Sequence, residues 1–192
     1  YRTLLPNSVL PTATKLKRDQ AKLSMGLYVL FFGTDCQYES VAHHTIWLGK
    51  RYRELLDDIF HRGILADDFS LYVHRPTATD PSFAPAGHDS FYVLAPVPNL
   101  QGTQDWETLA PELEKTVLNI LAERLMPDLN EQVRATSHIS PVYFKDALNS
   151  PFGSGFSIAP TLTQSAGLRF HNQSPRYRNL FFVGAGVHPG AG

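Results

Sequence analysis

The most informative stretch of this sequence is Asn179-Leu180-Phe181-Phe182-Val183-Gly184-Ala185-Gly186-Val187-His188-Pro189-Gly190-Ala191-Gly192. Its first five residues end in an apolar run, which predicts a short buried β-strand. Glycines directly after a strand let the backbone approach a ligand that any Cβ would exclude. A helix that follows such a turn offers its N-terminal amides to a phosphate or another electron-rich group.

The spacing of these glycines is G-x-G-x-x-x-G, with Pro189 where the usual dinucleotide fingerprint has its third glycine. A glycine-rich turn after a strand is more often a plain turn than a cofactor site. The spacing therefore leaves both interpretations open.

Five further motifs precede this stretch in the chain, and their order along the chain is as informative as their residues. They are AHHT at 42–45, RYREL at 51–55, DFSLY at 68–72, YVLAPVP at 92–98 and GFSIAPTLTQSA at 155–166. Together with the C-terminal stretch they resemble the C-terminal portion of bacterial-type phytoene desaturases, which are flavoenzymes of carotenoid biosynthesis. One departure is Val187, where family members usually carry Thr or Ala; Val has nearly the shape of Thr but no hydroxyl, so a side-chain hydrogen bond is not expected there.

The resemblance implies an FAD-dependent oxidoreductase that acts on CH–CH groups and desaturates phytoene toward lycopene. It covers less than half of a desaturase, so we expect this chain to be a fragment that is inactive in isolation. The motif that holds most of the FAD and the family's last helix would lie outside it. The alternatives are a related flavoprotein acting on another carotenoid or isoprenoid (an isomerase, a ketolase or a diapophytoene desaturase) and a non-catalytic lipid-binding fragment.

By the same resemblance, the expected cofactor contacts are the residues that match the family's last motif. They are Gly184, Ala185, Gly186, Val187, His188, Pro189 and Gly190. Gly184 and Gly186 would permit backbone approach to the ribityl–pyrophosphate region, and the segment from His188 onward would open a helix directed at the isoalloxazine ring. Residues 156–165 would border the site. The catalytic residues are unknown from the sequence.

Composition narrows the class of protein. Hydrophobic residues make up 43% and charged residues 18%, which is typical of a folded domain, and the net charge of −1 gives no reason to expect nucleic acid as a partner. The single Cys36 excludes an internal disulfide and fits a reducing compartment. No apolar run approaches the roughly 20 residues of a spanning helix. With phytoene and partly desaturated carotenoids as substrates, we expect a cytoplasmic protein bound peripherally to the membrane surface.

Other candidate chemistry is weaker. None of the eight histidines pairs with Cys or a carboxylate at metal-ligand spacing, and His43 and His44 should point to opposite faces of a strand, so no metal site is expected. Asp57-Asp58 should be solvated, and Asp67-Asp68 should occupy a turn. No G-x-S-x-G motif supports a serine hydrolase. Arg169 and Arg176 are assigned to a solvated loop.

Periodicity predicts the order of the elements. Strands are expected at 24–32, 43–48, 69–74, 90–95 and 133–137, helices at 51–62, 109–126 and 142–148, and a surface loop at 1–22. This order predicts an α+β fold with a largely antiparallel sheet. We assign 1–165 to a partial substrate-binding domain and 166–192 to a truncated strand–Gly-turn piece of an FAD-binding Rossmann-like domain. One sheet face should pack on helices while the other lines an apolar cavity, and the sequence does not say which.

Overall fold

The computed structural model of the chain describes residues 12–174 and 176–190. These divide into two compact units: Met25–Gly155, here called the sheet unit, and the described residues up to Ser24 with those from Phe156 onward, here called the terminal unit. This division differs from the predicted boundary between 165 and 166. Leu23 forms an isolated bridge with Ile158, and the Ser24 N–H donates to the Ser157 carbonyl at 2.9 Å, so the approach to the last motif belongs to the terminal unit.

The sheet unit is built on five strands. They are β1 (Gly26–Thr34), β2 (His44–Trp47), β3 (Leu71–His74), β4 (Asp89–Val97) and β5 (Val133–Ile139), in the spatial order β2-β3-β4-β1-β5. Every pairing in this sheet is antiparallel. Along β4, buried and half-buried residues alternate strictly, as expected for a strand with one face toward a core. The prediction of an α+β fold with an antiparallel sheet is confirmed.

Within residues 12–174 and 176–190 there are five α-helices. They are α1 (Thr12–Asp19), α2 (Tyr52–Asp57), α3 (Trp106–Arg124), α4 (Leu129–Gln132) and α5 (Pro141–Asp146). Helix α2 continues as a π-helical turn over Asp58–Arg62 and ends at Gly63, whose φ of 61° is a left-handed C-cap. Helix α1 replaces part of the predicted loop at 1–22, of which residues 1–11 lie outside the described residues.

Helix α3 begins three residues before its predicted start at Leu109. Its N-cap is Asp105: the Asp105 carboxylate accepts from the Glu107 N–H at 3.1 Å, and the Thr108 hydroxyl donates to the same carboxylate at 2.8 Å. A negatively charged carboxylate at this position also interacts favourably with the positive N-terminal end of the helix dipole. The two hydrogen bonds lower the pKa of Asp105, so this cap stays ionised at neutral pH.

The core lies between α3 and one face of the sheet. Val73, Val93 and Leu30 are consecutive register partners across three strands, and all are at most 1% exposed. Val117 and Leu121 on α3 are fully buried in the same cluster. Burial of each such side chain contributes about 1.5–3 kcal/mol. These contacts fix which sheet face is covered.

A buried ion pair holds the connection that follows β3. Arg75 Nε donates to Asp89 Oδ2 at 2.8 Å, and the two side chains are 8% and 0% exposed. Asp89 also accepts from the Tyr38 N–H at 2.8 Å and from the Thr77 hydroxyl. Arg75 Nη1 donates to the Val41 carbonyl at 3.1 Å. Because the pair is dry and multiply bonded, loss of either partner would strand a buried charge.

The strand predicted at the end of the chain is wrong for this structure. Phe181 is 62% exposed and Val183 is 94% exposed, and the segment takes part in one isolated bridge, between Phe181 and Gln173. A buried strand needs hydrogen-bonded neighbours on both sides, and the described residues supply only this bridge. The Rossmann-like assignment of the terminal segment therefore stays a prediction.

Candidate functional site

The glycine turn, residues 184–190, is anchored to the segment that begins at Phe170. Val187 pairs with Phe170 in an isolated parallel bridge, and the His188 N–H donates to the Phe170 carbonyl at 2.8 Å. Asn172 Nδ2 donates in turn to the His188 carbonyl at 2.6 Å. The seven predicted site residues thus form one compact turn. The helix predicted from His188 onward does not begin within 188–190, and residues 191–192 lie outside the described part.

A buried arginine organises the backbone around this turn. Arg169 is 4% exposed, and its Nη2 donates to the carbonyl of Ile158 at 3.1 Å and to that of Ala185. Its Nη1 donates to the Gln164 carbonyl at 3.3 Å, whereas its buried Nε has no hydrogen-bond partner. The prediction of a solvated Arg169 is wrong. One guanidinium with five fixed donors can bind carbonyls from three segments at once, and a polar sequence context gives no sign of this.

The glycines of the turn have different surroundings. Gly184 has a φ of 116°, and a Cβ built on it would meet no heavy atom within 4 Å. A Cβ on Gly186 would lie 2.8 Å from the Ser157 Oγ. Gly190 has a φ of 118°, and its Cβ would lie 3.3 Å from the Arg169 guanidinium. Gly184 is therefore the exposed, open position, while the missing side chain of Gly186 makes room for the chain's own Ser157.

A small cavity opens beside the same arginine. Its volume is about 200 Å³, and its lining includes Lys17, Gln20, Thr163 and Phe170. Lys17 Nζ donates to the Arg169 carbonyl at 3.1 Å and lies 4.9 Å from the centre of the Phe170 ring. Sites for drug-sized ligands usually exceed about 300 Å³, so this cavity is too small for a whole dinucleotide.

The second candidate surface is the sheet face opposite α3, here called the open face. Two rows of register partners cross it on all five strands. They are His44, His74, Tyr92, Phe31 and Ser137, and Ile46, Tyr72, Leu94, Val29 and Ile139. Phe31 is 40% exposed and Ile46 is 70% exposed, unlike the residues under α3, whereas Val29 in the second row is 2% exposed, so this face is accessible over part of its width. The structure thus answers what the sequence left undecided, namely which face α3 covers.

Aromatic contacts run along the middle of the open face. The Phe31 and Tyr92 rings have centroids 5.6 Å apart, and Tyr72 meets Tyr92 edge-on at 5.9 Å. Burial, and to a lesser extent the neighbouring Tyr72, raises the pKa of Tyr92. The Tyr92 phenol therefore stays neutral at physiological pH, and the middle of the open face presents aromatic rings.

Two further predictions from the sequence need correction, one about Asp58 and one about His43 and His44. Asp58 is 2% exposed, not solvated, and accepts from Arg62 Nη1 at 2.7 Å and from Arg51 Nη2 at 3.4 Å. Its neighbour Asp57 is exposed as predicted and bonds His61. Asp68 accepts from the Arg51 N–H at 2.8 Å, which agrees with a turn role. The buried Asp58 begins the π-helical turn, whose i→i+5 hydrogen bonds place more residues in each turn and so shift side chains away from the faces of a regular α-helix.

The second correction concerns two adjacent histidines. His43 and His44 do not point to opposite faces, since their ring centroids are 4.3 Å apart. His43 precedes β2 and lies in a bend, so strand alternation does not apply to it. His74 joins them from β3.

Comparison with known proteins gives the same family along the whole chain. The chain is 47% identical over 193 aligned positions to a lycopene-forming phytoene desaturase from Pseudescherichia vulneris, and 46% identical over 197 positions to a neurosporene-forming one from Rhodobacter capsulatus. Both alignments include 100% of this chain. The chain is homologous to part of the bacterial phytoene desaturases. No family model matches it.

The phytoene desaturase relatives are much longer than this chain, which spans 38–39% of their length. A 4,4'-diapophytoene desaturase from Methylomonas is more distant, at 33% identity over 98% of the chain and 37% of that protein. Among solved structures, an oxidoreductase from Methanosarcina mazei is similar over 95% of this chain and 35% of the oxidoreductase chain, with a TM-score of 0.53 and 16% sequence identity. This likeness supports the fold and nothing finer.

Proposed function

We propose that the protein to which this chain belongs desaturates phytoene toward lycopene with the help of FAD. The observation that carries this proposal is the identity of 45–47%, over all of the chain, to five phytoene desaturases that form lycopene or neurosporene. The weaker identity of 33% to diapophytoene desaturases makes the shorter substrates a second choice. The activity belongs to the whole protein, and we expect the isolated chain to be inactive.

The glycine turn supports FAD as the cofactor. At Gly184 a positive φ and empty space at the Cβ position allow close backbone approach by a flat or charged group. Arg169 fixes this backbone by donating a hydrogen bond to the Ala185 carbonyl. We therefore propose that the turn at 184–190 contacts the cofactor, with Gly184 as the principal position, and that within this turn Gly186 is required for the packing of Ser157 and not for the cofactor.

Bound FAD would supply the acceptor for a hydride from an allylic carbon of the substrate. The chain's own part is positioning and exclusion of water. Arg169 keeps the glycine backbone in one conformation by binding three carbonyls. Exposed His188 follows the open glycine, and its backbone N–H and carbonyl are fixed by Phe170 and Asn172, so its position is set without its imidazole.

The open face supports a hydrocarbon substrate. Phytoene offers no polar group for recognition, so binding must come from apolar and aromatic contact area. Phe31, Tyr72, Tyr92 and Leu94 form a continuous patch of that kind on adjacent strands. We propose that this patch contacts the polyene, which gives the sheet unit the substrate role and the glycine turn the cofactor role.

The proposal is tested by expressing the full-length protein in cells that accumulate phytoene. We expect coloured, more desaturated products, lycopene or neurosporene, by chromatography of extracted pigments. Unchanged phytoene would overturn the assignment. Conversion confined to double-bond geometry would indicate an isomerase, and oxygenated products would indicate a ketolase.

The cofactor assignment has its own test. In the full-length protein, Gly184→Val should abolish flavin retention, because the side chain fills the open position and the residue is strained at positive φ. Gly167→Val is the matched control, since a Cβ there also meets no atom within 4 Å and its φ is ordinary. Equal flavin content in the two variants would contradict the assignment. The melting temperature of each apoprotein separates cofactor loss from unfolding.

The substrate assignment is tested by a charge on the open face. Phe31→Glu in the full-length protein should reduce desaturation strongly while flavin content is retained, because a carboxylate desolvated against a hydrocarbon is unfavourable. Phe83→Glu is the control, since Phe83 is 62% exposed on a short helical turn outside the sheet. Full activity of Phe31→Glu would exclude this face as the polyene surface.

We also propose peripheral attachment to the cytoplasmic membrane surface, because a substrate dissolved in lipid must leave the bilayer through an apolar entrance. Among the described residues, no helix combines the length and apolar character needed to cross a bilayer. Liposome flotation of the full-length protein should show binding that carbonate reverses. A protein that does not float would contradict this proposal.

A further inference from the structure

Three imidazoles meet where β2 and β3 run side by side. His43, His44 and His74 each offer a nitrogen within 4.8 Å of the others. His43 Nε2 and His74 Nε2 are hydrogen-bonded to each other at 2.8 Å, a bond that a metal ion would replace, and the ring of His44 stacks on that of His74 with a centroid distance of 5.1 Å. The cluster lies at the β2 end of the open face, beyond the aromatic patch.

The backbone builds this cluster by two devices. His44 and His74 face each other directly in the antiparallel ladder, where Cβ atoms of opposed residues lie about 4.5–5.5 Å apart. His43 lies in the bend before β2, and its carbonyl accepts from the Arg75 N–H at 2.9 Å. Arg75 is itself held by the buried Asp89. The third imidazole is therefore supported by the ion pair that stabilises the sheet unit.

Hydroxyl groups orient two of the three rings. His43 Nδ1 bonds the Thr79 Oγ1, and His44 Nδ1 bonds the Tyr72 hydroxyl at 2.7 Å. When Nδ1 donates its proton to a hydroxyl oxygen, Nε2 carries the free lone pair. Metal-bound histidines are held in this way by an outer partner on the other ring nitrogen.

We propose that His43, His44 and His74 bind one divalent transition-metal ion of the zinc class, with water as a fourth ligand. Imidazoles suit Zn²⁺, Ni²⁺ and Cu²⁺, whereas Mg²⁺ and Ca²⁺ prefer oxygen ligands. Tetrahedral zinc with Zn–N bonds of about 2.0–2.1 Å sets its ligands ~3.3 Å apart. The His43 and His74 nitrogens, at 2.8 Å, would separate by about half an ångström, and a pair at the 4.8 Å limit of the cluster would close by about 1.5 Å.

The ion would join the edge strand β2 to β3 and to the preceding bend, so its binding should stabilise the sheet unit. The proposal does not depend on the proposed desaturase activity, because it concerns a site formed by this chain's own side chains. It departs from the sequence-based expectation that no metal site is present, which rested on residue spacing.

The test uses the purified 192-residue chain after removal of metal with EDTA. Calorimetric titration with ZnCl₂ should give one site with a Kd of about 1 μM or tighter, and a raised melting temperature. His44→Ala should abolish this binding; His44 is exposed, so the variant should fold. His61→Ala is the matched control, since His61 is 76% exposed and outside the cluster.

A second variant keeps all three ligands. Thr79→Ala removes the hydroxyl behind His43 and should weaken zinc binding by about tenfold. Circular dichroism of the metal-free variants checks that each is folded. The proposal is overturned if zinc does not bind, if His44→Ala binds as tightly as the parent chain, or if His61→Ala loses affinity to the same extent.

Discussion

Different interactions stabilise the inside of the sheet unit and the inside of the terminal unit. In the sheet unit, backbone groups of five strands pair with one another in continuous ladders, and α3 covers one face with apolar side chains. In the terminal unit, isolated bridges and short turns connect the chain, and one guanidinium binds three carbonyls. Backbone N–H and C=O groups that are paired between strands are not available to bind a ligand. The glycine backbone held by Arg169 keeps an open position.

The largest expected effect concerns the buried ion pair of the sheet unit. Arg75→Ala strands the fully buried Asp89 carboxylate and should lower the free energy of unfolding by about 3–5 kcal/mol. Urea denaturation followed by tryptophan fluorescence measures this. Arg53→Ala, at an exposed position on α2, should change stability by less than about 0.5 kcal/mol. Similar losses of unfolding free energy in both variants would show that the buried ion pair contributes no more to stability than an exposed arginine does.

The next effect compares leucines at opposite extremes of burial. Leu30 is 0% exposed at the centre of the sheet, and Leu30→Ala should cost about 3 kcal/mol through lost burial and a residual cavity. Leu162 is 93% exposed in the terminal unit, and Leu162→Ala should leave the same unfolding transition unchanged. A substantial loss at Leu162 would mean that this segment contributes to a core.

A smaller and local effect is expected at the terminal unit. Arg169→Met removes the hydrogen bonds to three carbonyls and should lower the local opening free energy of the glycine turn by about 2 kcal/mol. Hydrogen exchange of the amides at 184–190 reports this opening, while those of β1 should remain protected. Arg178→Met, at an exposed position nearby, serves as the control. Uniformly faster exchange in both units would contradict a local role.

The smallest effect tests the assignment of Gly186 to packing. Gly186→Ala brings a Cβ to 2.8 Å from the Ser157 Oγ and should cost about 1 kcal/mol. Ser157→Ala removes that oxygen, so the double variant should recover most of the loss. Hydrogen exchange at the glycine turn gives all four corners of the cycle. Additive losses would mean that Gly186 is needed for another reason, such as the cofactor approach first expected of it.

The antiparallel sheet was predictable because the signals that define it are local. Short apolar and aromatic runs mark β1 and β4 in the sequence, and Gly33 and Pro96 mark where those runs stop. The exposed segment at 179–183 was mispredicted because an apolar run does not by itself specify hydrogen-bonded neighbours. Asp58 was misplaced because a π-helical turn shifts its direction. Arg169 was missed because its carbonyl partners lie in segments separated along the chain, and no periodicity records them.

The order of the strands has a consequence for handling the protein. An unpaired sheet border is a template for strand addition by another molecule, and proteins protect such borders with short or charged strands. Here one border is β2, which has only four residues, and the other is β5, where Arg134 pairs with Asp35 beside a run of exposed residues. Both borders therefore resist growth into aggregates, so variants that expose the core should be the ones that precipitate.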